Sequence, residues 1–101
     1  MIMVIASIRV KTGKMPDYLA ILKTVVPEVR SEKGCIEYIP AVDLDTKMPP
    51  QIVDKEIVTI LEKWVSLDEL EAHLVSAHML DYREKVKNLI EKVTIKVLQE
   101  A

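Results

Sequence analysis

Residues 56–69 read EIVTILEKWVSLDE, and the fold is decided here because an alternating segment runs directly into a helix-start signal. One parity of the segment consists of Val58, Ile60, Glu62 and Trp64, and the other of Ile57, Thr59, Leu61 and Lys63. This period of two predicts a strand from Glu56 to Val65. Ser66, with Glu69 three residues later, forms a capping-box pattern that predicts the start of a helix.

Two more strands are predicted on the N-terminal side of this stretch. The residues from Ile2 to Val10 place β-branched and small side chains at even positions, and the odd positions are also partly apolar. A second strand is predicted from Cys35 to about Asp43, and Pro40 implies that it lies at a sheet edge or carries a bulge. The segment Leu44–Lys55 has adjacent prolines and no steady period, which indicates a long loop.

A helix is predicted between these two strands. Pro16 suits a first helical turn, and apolar residues then recur at helical spacing up to about Arg30. Pro27 removes an interior hydrogen bond, so we expect a kink there. Gly34 is placed to end the helix.

The C-terminal part predicts a pair of helices and a closing strand. Leu67, Leu70 and Leu74 belong to the helix that begins at Ser66, and the apolar period is interrupted near Ser76. A new helical stripe comes next, made of Met79, Tyr82, Val86, Leu89 and Ile90. A closing strand is indicated by the alternation of Val93, Ile95 and Val97.

The predicted order is strand, helix, strand, strand, helix pair and strand. This is the ferredoxin-like split βαβ arrangement, an α+β fold in which one antiparallel sheet carries its helices on one face. We expect a single domain over residues 1–101. The other sheet face would include Met3 and Ile5, which is too apolar to leave in water, and a homodimer through that face is therefore predicted.

Composition excludes several classes of protein. The 101 residues are 50% hydrophobic and carry a formal net charge of −2 with no dense basic cluster, so nucleic acid is not an expected partner. The apolar N-terminal segment ends at Arg9, too early for a membrane span. The single cysteine excludes an internal disulfide and Cys-rich zinc sites, and a cytosolic location fits best. The common nucleotide, zinc-protease and serine-hydrolase motifs are absent.

Six residues are candidates for a functional site: Glu62, Trp64, His73, His78, Tyr82 and Arg83. A histidine can act as a base near neutral pH. The two histidines are five residues apart, about 140° around a continuous helix, so they converge only if the helix breaks between them. A carboxylate inside a strand, as at Glu62, must be paired or hydrogen-bonded, and it would orient a histidine or pair with an arginine.

Each candidate also has a purely structural interpretation. The histidines would only bond carbonyls where two helices meet, and Trp64 would only fill the core. Tyr82 and Arg83 would hold an anionic substrate oxygen, although a helix stripe and a surface charge explain them equally well.

Three segments in this order resemble the antibiotic-biosynthesis-monooxygenase family, and within it the small bacterial quinol monooxygenases: Ser31-Glu-Lys-Gly-Cys35, Glu62-Lys63-Trp64 and His73-Leu-Val-Ser-Ala-His78-Met79. The resemblance implies a ferredoxin-like dimer. It also implies oxygenation of an electron-rich phenol or hydroquinone by O2, with no metal and no other cofactor.

The function expected from residues and resemblance together is oxygenation of a small aromatic quinol. His73 is the preferred base, with Glu62 beside it as a catalytic residue, and Trp64, His78, Tyr82 and Arg83 would contact the substrate. Two alternatives stay open at this point. One is an isomerase or catabolic enzyme for a small phosphorylated signalling molecule, and the other is a noncatalytic ligand-binding dimer of the same fold.

Overall fold

A computed structural model of the protein describes residues 1–101 in full. The elements along the chain are β1 (Ile2–Val10), α1 (Met15–Arg30), β2 (Cys35–Val42), β3 (Ile57–Trp64), α2 (Leu67–Leu74), α3 (Ala77–Val86) and β4 (Ile90–Leu98). This α+β order is the predicted one. No helix in it is long and apolar enough to span a membrane.

The four strands form one sheet in the order β2-β3-β1-β4, and every neighbouring pair is antiparallel. The order confirms the ferredoxin-like arrangement. β2 lies at an edge, as Pro40 predicted, because an edge strand tolerates the missing backbone donor. Its register against β3 also shifts between Cys35 and Glu37.

Helix α1 has Pro16 in its first turn and continues through Pro27 to Arg30. The helix ends at Arg30, as predicted, but the expectation that Gly34 terminates it was wrong. Ser31 is the C-cap, and its backbone N–H donates hydrogen bonds to carbonyl oxygens of the last helical turn. Gly34 instead forms the turn into β2, with φ of +81°, a left-handed conformation that favours glycine.

The helix pair has the predicted cap and the predicted break. The Ser66 hydroxyl accepts a hydrogen bond from the Glu69 N–H at 3.4 Å. The break lies between Leu74 and Ala77. The assignment of Leu89 and Ile90 to the second helix was wrong, because α3 ends at Val86 and the ladder with β1 pairs Ile90 with Val10.

The core lies between the sheet and the helices. Only 19 of the 101 residues are buried, and 17 of these are hydrophobic. The molecule is about 20 Å thick along its shortest axis, which fits one sheet and one layer of helices. The opposite sheet face therefore has no cover within the chain.

That uncovered face is apolar along one row that crosses three strands. Ile5 of β1 pairs with Leu61 of β3, and Leu61 pairs with Ile39 of β2. Leu61 and Ile39 remain 42% and 43% exposed. On the helix side, the β4 residues Val93 and Ile95 are also half-exposed, because the helices stop short of this edge strand.

The two glycines with positive φ allow a matched stability test. Gly13→Ala, at φ +80° with no atom near its added Cβ, should cost only the left-handed strain of about 1–2 kcal/mol. Gly34→Ala has the same strain, but its Cβ would also lie 2.7 Å from the Glu69 Cβ and 2.5 Å from its Cγ. We expect an additional loss of at least about 1 kcal/mol, measured by urea unfolding. Equal losses for the two variants would contradict the packing of this turn against α2.

Candidate active site

A cavity of about 580 Å³ lies between the sheet and the helices α2 and α3. This is the size of a small-molecule site, and 11 of its 17 lining residues are hydrophobic. Four of the predicted site residues line it: Glu62, His73, Tyr82 and Arg83. Val93 and Ile95 of β4 form its opposite wall.

His73 is fixed in this cavity by three neighbours. Its ring lies 4.6 Å from the ring of Trp64 and 5.7 Å from that of Tyr38, measured between centroids. Its Nδ1 is 2.7 Å from Oε2 of Glu32. The side chain is only 2% exposed, so its orientation is set by packing and by this hydrogen bond.

Three polar atoms in the cavity lack a protein partner. The Nε2 of His73, Oε2 of Glu62 and the Tyr38 hydroxyl make no hydrogen bond within the chain. No fully buried side-chain nitrogen or oxygen is left without a partner anywhere in the molecule. All three atoms must therefore be accessible to solvent or to a ligand. Because the three residues line the cavity, the atoms are reached from there.

Glu62 is a buried carboxyl without a cationic partner. The Trp64 indole N–H donates to its Oε1 at 3.0 Å, and no lysine or arginine forms a salt bridge with it. Burial raises the pKa of Glu62. The Trp64 hydrogen bond and the charge of His73 lower this pKa, and the charge of Glu32 raises it further. The group is thereby shifted towards the protonated form, which can donate a hydrogen bond into the cavity.

His78 converges with His73, but on Glu32 and not in the cavity. Its Nε2 is 2.9 Å from the same Oε2 of Glu32, and His78 is not among the cavity-lining residues. On a continuous helix the two histidines would point about 140° apart, and the break between α2 and α3 allows both rings to reach Glu32. The three ligand-type atoms of Glu32, His73 and His78 lie within 4.8 Å of one another.

The other predicted residues occupy different places around the cavity. Trp64 is fully buried beneath His73 and does not line the cavity. Tyr82 lines the wall, and its hydroxyl is 2.5 Å from the hydroxyl of Tyr18. Burial raises the pKa of both phenols, which keeps them protonated. Arg83 lines the cavity and forms no salt bridge.

Sequence reasoning missed Glu32 and Tyr38 as site residues. Glu32 lies in the turn between α1 and β2, 41 positions before His73, so no local spacing connects the two. In the sequence, Tyr38 was recognised only as part of the alternating pattern of β2. Its position on the apolar parity of that strand could have indicated that it faces the interior. Burial raises the pKa of the Tyr38 hydroxyl, which makes it a hydrogen-bond donor.

Comparisons with known proteins agree with this fold. The family model described as antibiotic biosynthesis monooxygenase matches residues 1–85. The chain is 35% identical to the Escherichia coli K12 protein named "Probable quinol monooxygenase YgiN", over 98% of this chain and 97% of that protein. It is also similar to a solved conserved protein from Methanosarcina mazei Go1, at 25% identity and TM-score 0.85, covering 99% of this chain and 92% of the other. Protein SO0527 from Shewanella oneidensis is 28% identical with TM-score 0.81, covering 96% and 87%.

The raised pKa of Glu62 predicts a pH-dependent effect of Glu62→Gln on stability. Between the ordinary and the raised pKa, the folded state binds more protons than the unfolded state, so wild-type stability falls as the pH rises. Glutamine keeps an oxygen for the Trp64 N–H and does not ionise. The free energy of unfolding of the variant should therefore increase relative to that of wild type as the pH rises above about 4, the ordinary range of a glutamate pKa.

The control for this test is Glu37→Gln on β2, an exposed acid 3.6 Å from Lys63. The difference in free energy of unfolding between Glu37→Gln and wild type, measured by chemical denaturation, should not grow over the same pH range. A difference for Glu62→Gln that shrinks with pH would overturn the assignment of a raised pKa.

Proposed function

The chain belongs to the antibiotic biosynthesis monooxygenase family and is an enzyme, and we propose that it oxygenates a small aromatic hydroquinone with O2, without a cofactor. One observation carries this proposal. His73 faces an apolar cavity with an unpartnered Nε2, while Glu32 holds its Nδ1. A positioned base beside a largely apolar space is what such a reaction needs from the protein.

The electron balance explains why no external reductant is required. A hydroquinone with one unsubstituted ring carbon reacts with O2 to give a hydroxyquinone and water. Oxidation of the quinol to a quinone supplies two electrons, and conversion of C–H to C–OH supplies two more. These four electrons reduce O2 completely, with one oxygen atom in the product and one in water.

His73 acts as the general base in this proposal. The Nδ1–H donates to the Glu32 carboxylate, so the neutral ring keeps its lone pair on Nε2, towards the cavity. That nitrogen removes the phenolic proton of the quinol. The resulting anion is a stronger electron donor towards O2, especially where surrounding water is excluded.

The remaining residues bind and orient the substrate. Glu62 and Tyr38 donate hydrogen bonds to quinol oxygens, and the cationic Arg83 stabilises negative charge in the cavity. The Tyr82 ring forms part of the wall. Trp64 positions Glu62 by a hydrogen bond and His73 by ring packing. His78 binds the Glu32 carboxylate and does not contact the quinol.

A second candidate function is favoured by a cationic group at the same cavity. Arg83 and Lys87 of the helical side and Lys92 of β4 all line it, which would suit a phosphorylated substrate. Glu62 and Glu91 in the same lining oppose that binding mode. Competition between a small sugar phosphate and menadiol, at constant ionic strength, distinguishes the two candidates.

We also propose that the enzyme is a homodimer through the uncovered sheet face. The row formed by Ile5, Leu61 and Ile39 is apolar and faces solvent in the single chain. Neighbouring residues of this face, such as Lys63, are polar, which fits a rim around an apolar centre. In a two-fold symmetric dimer, the same row of a second copy would pack against this row and cover it.

The activity test uses menadiol, O2 uptake and quinone formation, each measured above an enzyme-free blank. With ¹⁸O2, the hydroxyquinone product should carry one labelled oxygen. His73→Ala should lower turnover by about 100-fold or more, which is the usual worth of a positioned base. Glu32→Gln should cause a smaller loss, and a more acidic quinol should recover part of the His73→Ala deficit.

The control for these variants is Glu71→Gln, an exposed residue of the same helix as His73, which should retain wild-type turnover. An unlabelled quinone as the only product would refute monooxygenation. A folded His73→Ala protein with an unchanged enzyme-dependent rate would remove His73 from the mechanism. Tight binding of menadiol without any turnover would favour the noncatalytic alternative.

Substitution of Leu61 tests the dimer. Leu61→Lys puts a charge into the centre of the apolar row and should convert the dimer to monomers in sedimentation at micromolar concentration. Val75→Lys, at a 71% exposed position between α2 and α3, should leave the dimer intact. A wild-type protein that sediments only as a monomer would contradict this interface.

A further inference from the structure

Glu32, His73 and His78 bring two imidazoles and one carboxylate to a single point from three separate elements. Glu32 lies in the α1–β2 turn, His73 near the end of α2 and His78 in the first turn of α3. We propose that these three side chains form a binding site for one borderline divalent transition-metal ion, with Zn²⁺ as the reference ion. This site shares His73 with the proposed cofactor-free reaction, which itself needs no metal.

The donor set and its spacing fit such an ion. Two histidine nitrogens and one carboxylate oxygen are established ligands of Zn²⁺, with bonds of about 2.0–2.2 Å. Ligand atoms on one such ion are about 3.0–3.4 Å apart at angles between octahedral and tetrahedral values. The two nitrogens are 2.7 and 2.9 Å from Glu32 Oε2, so each nitrogen–oxygen pair needs to separate by only a few tenths of an ångström, and all three atoms lie within 4.8 Å of one another.

The local charges also favour a cation at this point. The salt-bridge partners of Glu32 are the two histidines alone, and Glu62 on the other side of His73 has none. Lys33, next to Glu32 in the chain, pairs with Glu69 at 3.9 Å. A largely buried carboxylate therefore lacks a permanent positive partner, and a divalent ion supplies one.

Binding also requires a shift of protons within the rings. The metal replaces the hydrogen bonds at Nδ1 of His73 and Nε2 of His78, and each neutral ring keeps its proton on its other nitrogen. For His73 that other nitrogen is Nε2, which faces the cavity. The metal-bound His73 has no lone pair left for the substrate, so an occupied site blocks the base; this consequence rests on the proposed function.

Calorimetric titration of the untagged protein with Zn²⁺ tests the site, with Co²⁺ absorption as a second probe of the ligands. Wild type should bind one ion per chain with a Kd in the low micromolar range or tighter. Glu32→Gln and His78→Ala should each weaken binding by at least about 10- to 100-fold. Asp81→Asn, an exposed acid one turn after His78 on α3, should bind like wild type. Circular dichroism must show that each variant is folded.

Wild-type protein that takes up no stoichiometric Zn²⁺ would overturn the site. So would folded Glu32→Gln and His78→Ala variants with wild-type affinity, or an Asp81→Asn variant that loses as much affinity as they do. Binding is measured without substrate, so its result is independent of turnover. A protein that binds Zn²⁺ and never oxidises a quinol would keep the metal site and refute the proposed function.

If both proposals hold, Zn²⁺ should inhibit menadiol turnover at the concentrations at which it occupies the site, and a chelator should restore the rate. Turnover that continues unchanged at full occupancy would refute the blocked-base consequence and leave the binding site in place.

Discussion

The antiparallel register of β1 against β3 is the constraint on which the rest of the molecule depends. It pairs Val4 with Glu62 and Ile2 with Trp64, so Glu62 and Trp64 lie on the face that the helices cover. Because side chains alternate along a strand, a slip of one residue would turn Glu62 and Trp64 to the other face. The apolar residues of β1 and β3 resist that slip, since it would expose the whole core row. The burial of ordinary aliphatic side chains thus holds the ionisable Glu62 inside.

The site adds a second constraint, which is the shared oxygen of Glu32. One carboxylate oxygen accepts from rings on two different helices and ties both to the turn before β2. This contact fixes which nitrogen of His73 faces the cavity, and packing between Trp64 and Tyr38 fixes the plane of the ring. The same contact gives the histidine pair its ligand-like geometry. Under the two proposals, one arrangement would serve both proton transfer at Nε2 and metal binding at Nδ1, and the two would exclude each other at His73.

The one-sided sheet explains where the molecule is open. The helices cover β1, β2 and β3 but stop short of β4, so the cavity is bounded there by half-exposed Val93 and Ile95. On the other face the apolar row of Ile5, Leu61 and Ile39 has no cover. With 19 buried residues, the single chain buries little of its apolar surface. A second copy on the sheet face would add burial that a chain of this length lacks.

The sequence by itself determined the elements, their order and the parity of each strand. Those features depend on near neighbours: the alternation of β3, the Ser66 cap and the interrupted stripe at Ser76 are all local signals. It also predicted four of the cavity residues, because Glu62, His73, Tyr82 and Arg83 combine reactive side chains with inward or helix-end positions. Local signals were less reliable where a partner strand decides the outcome. Ile90 continues a helical spacing, yet pairing with Val10 places it in β4.

Only the tertiary structure decided the role of Glu32, the exclusion of Trp64 and His78 from the cavity and the opening of His73 Nε2. Each depends on residues far apart in the chain meeting at one point, as Glu32 and His73 do across 41 positions. Hydrophobic periodicity states which face of an element is buried but not which distant polar group lies against it. That pairing is fixed by how the turn, the helix break and the sheet pack together, and a single sequence has no spacing that encodes it.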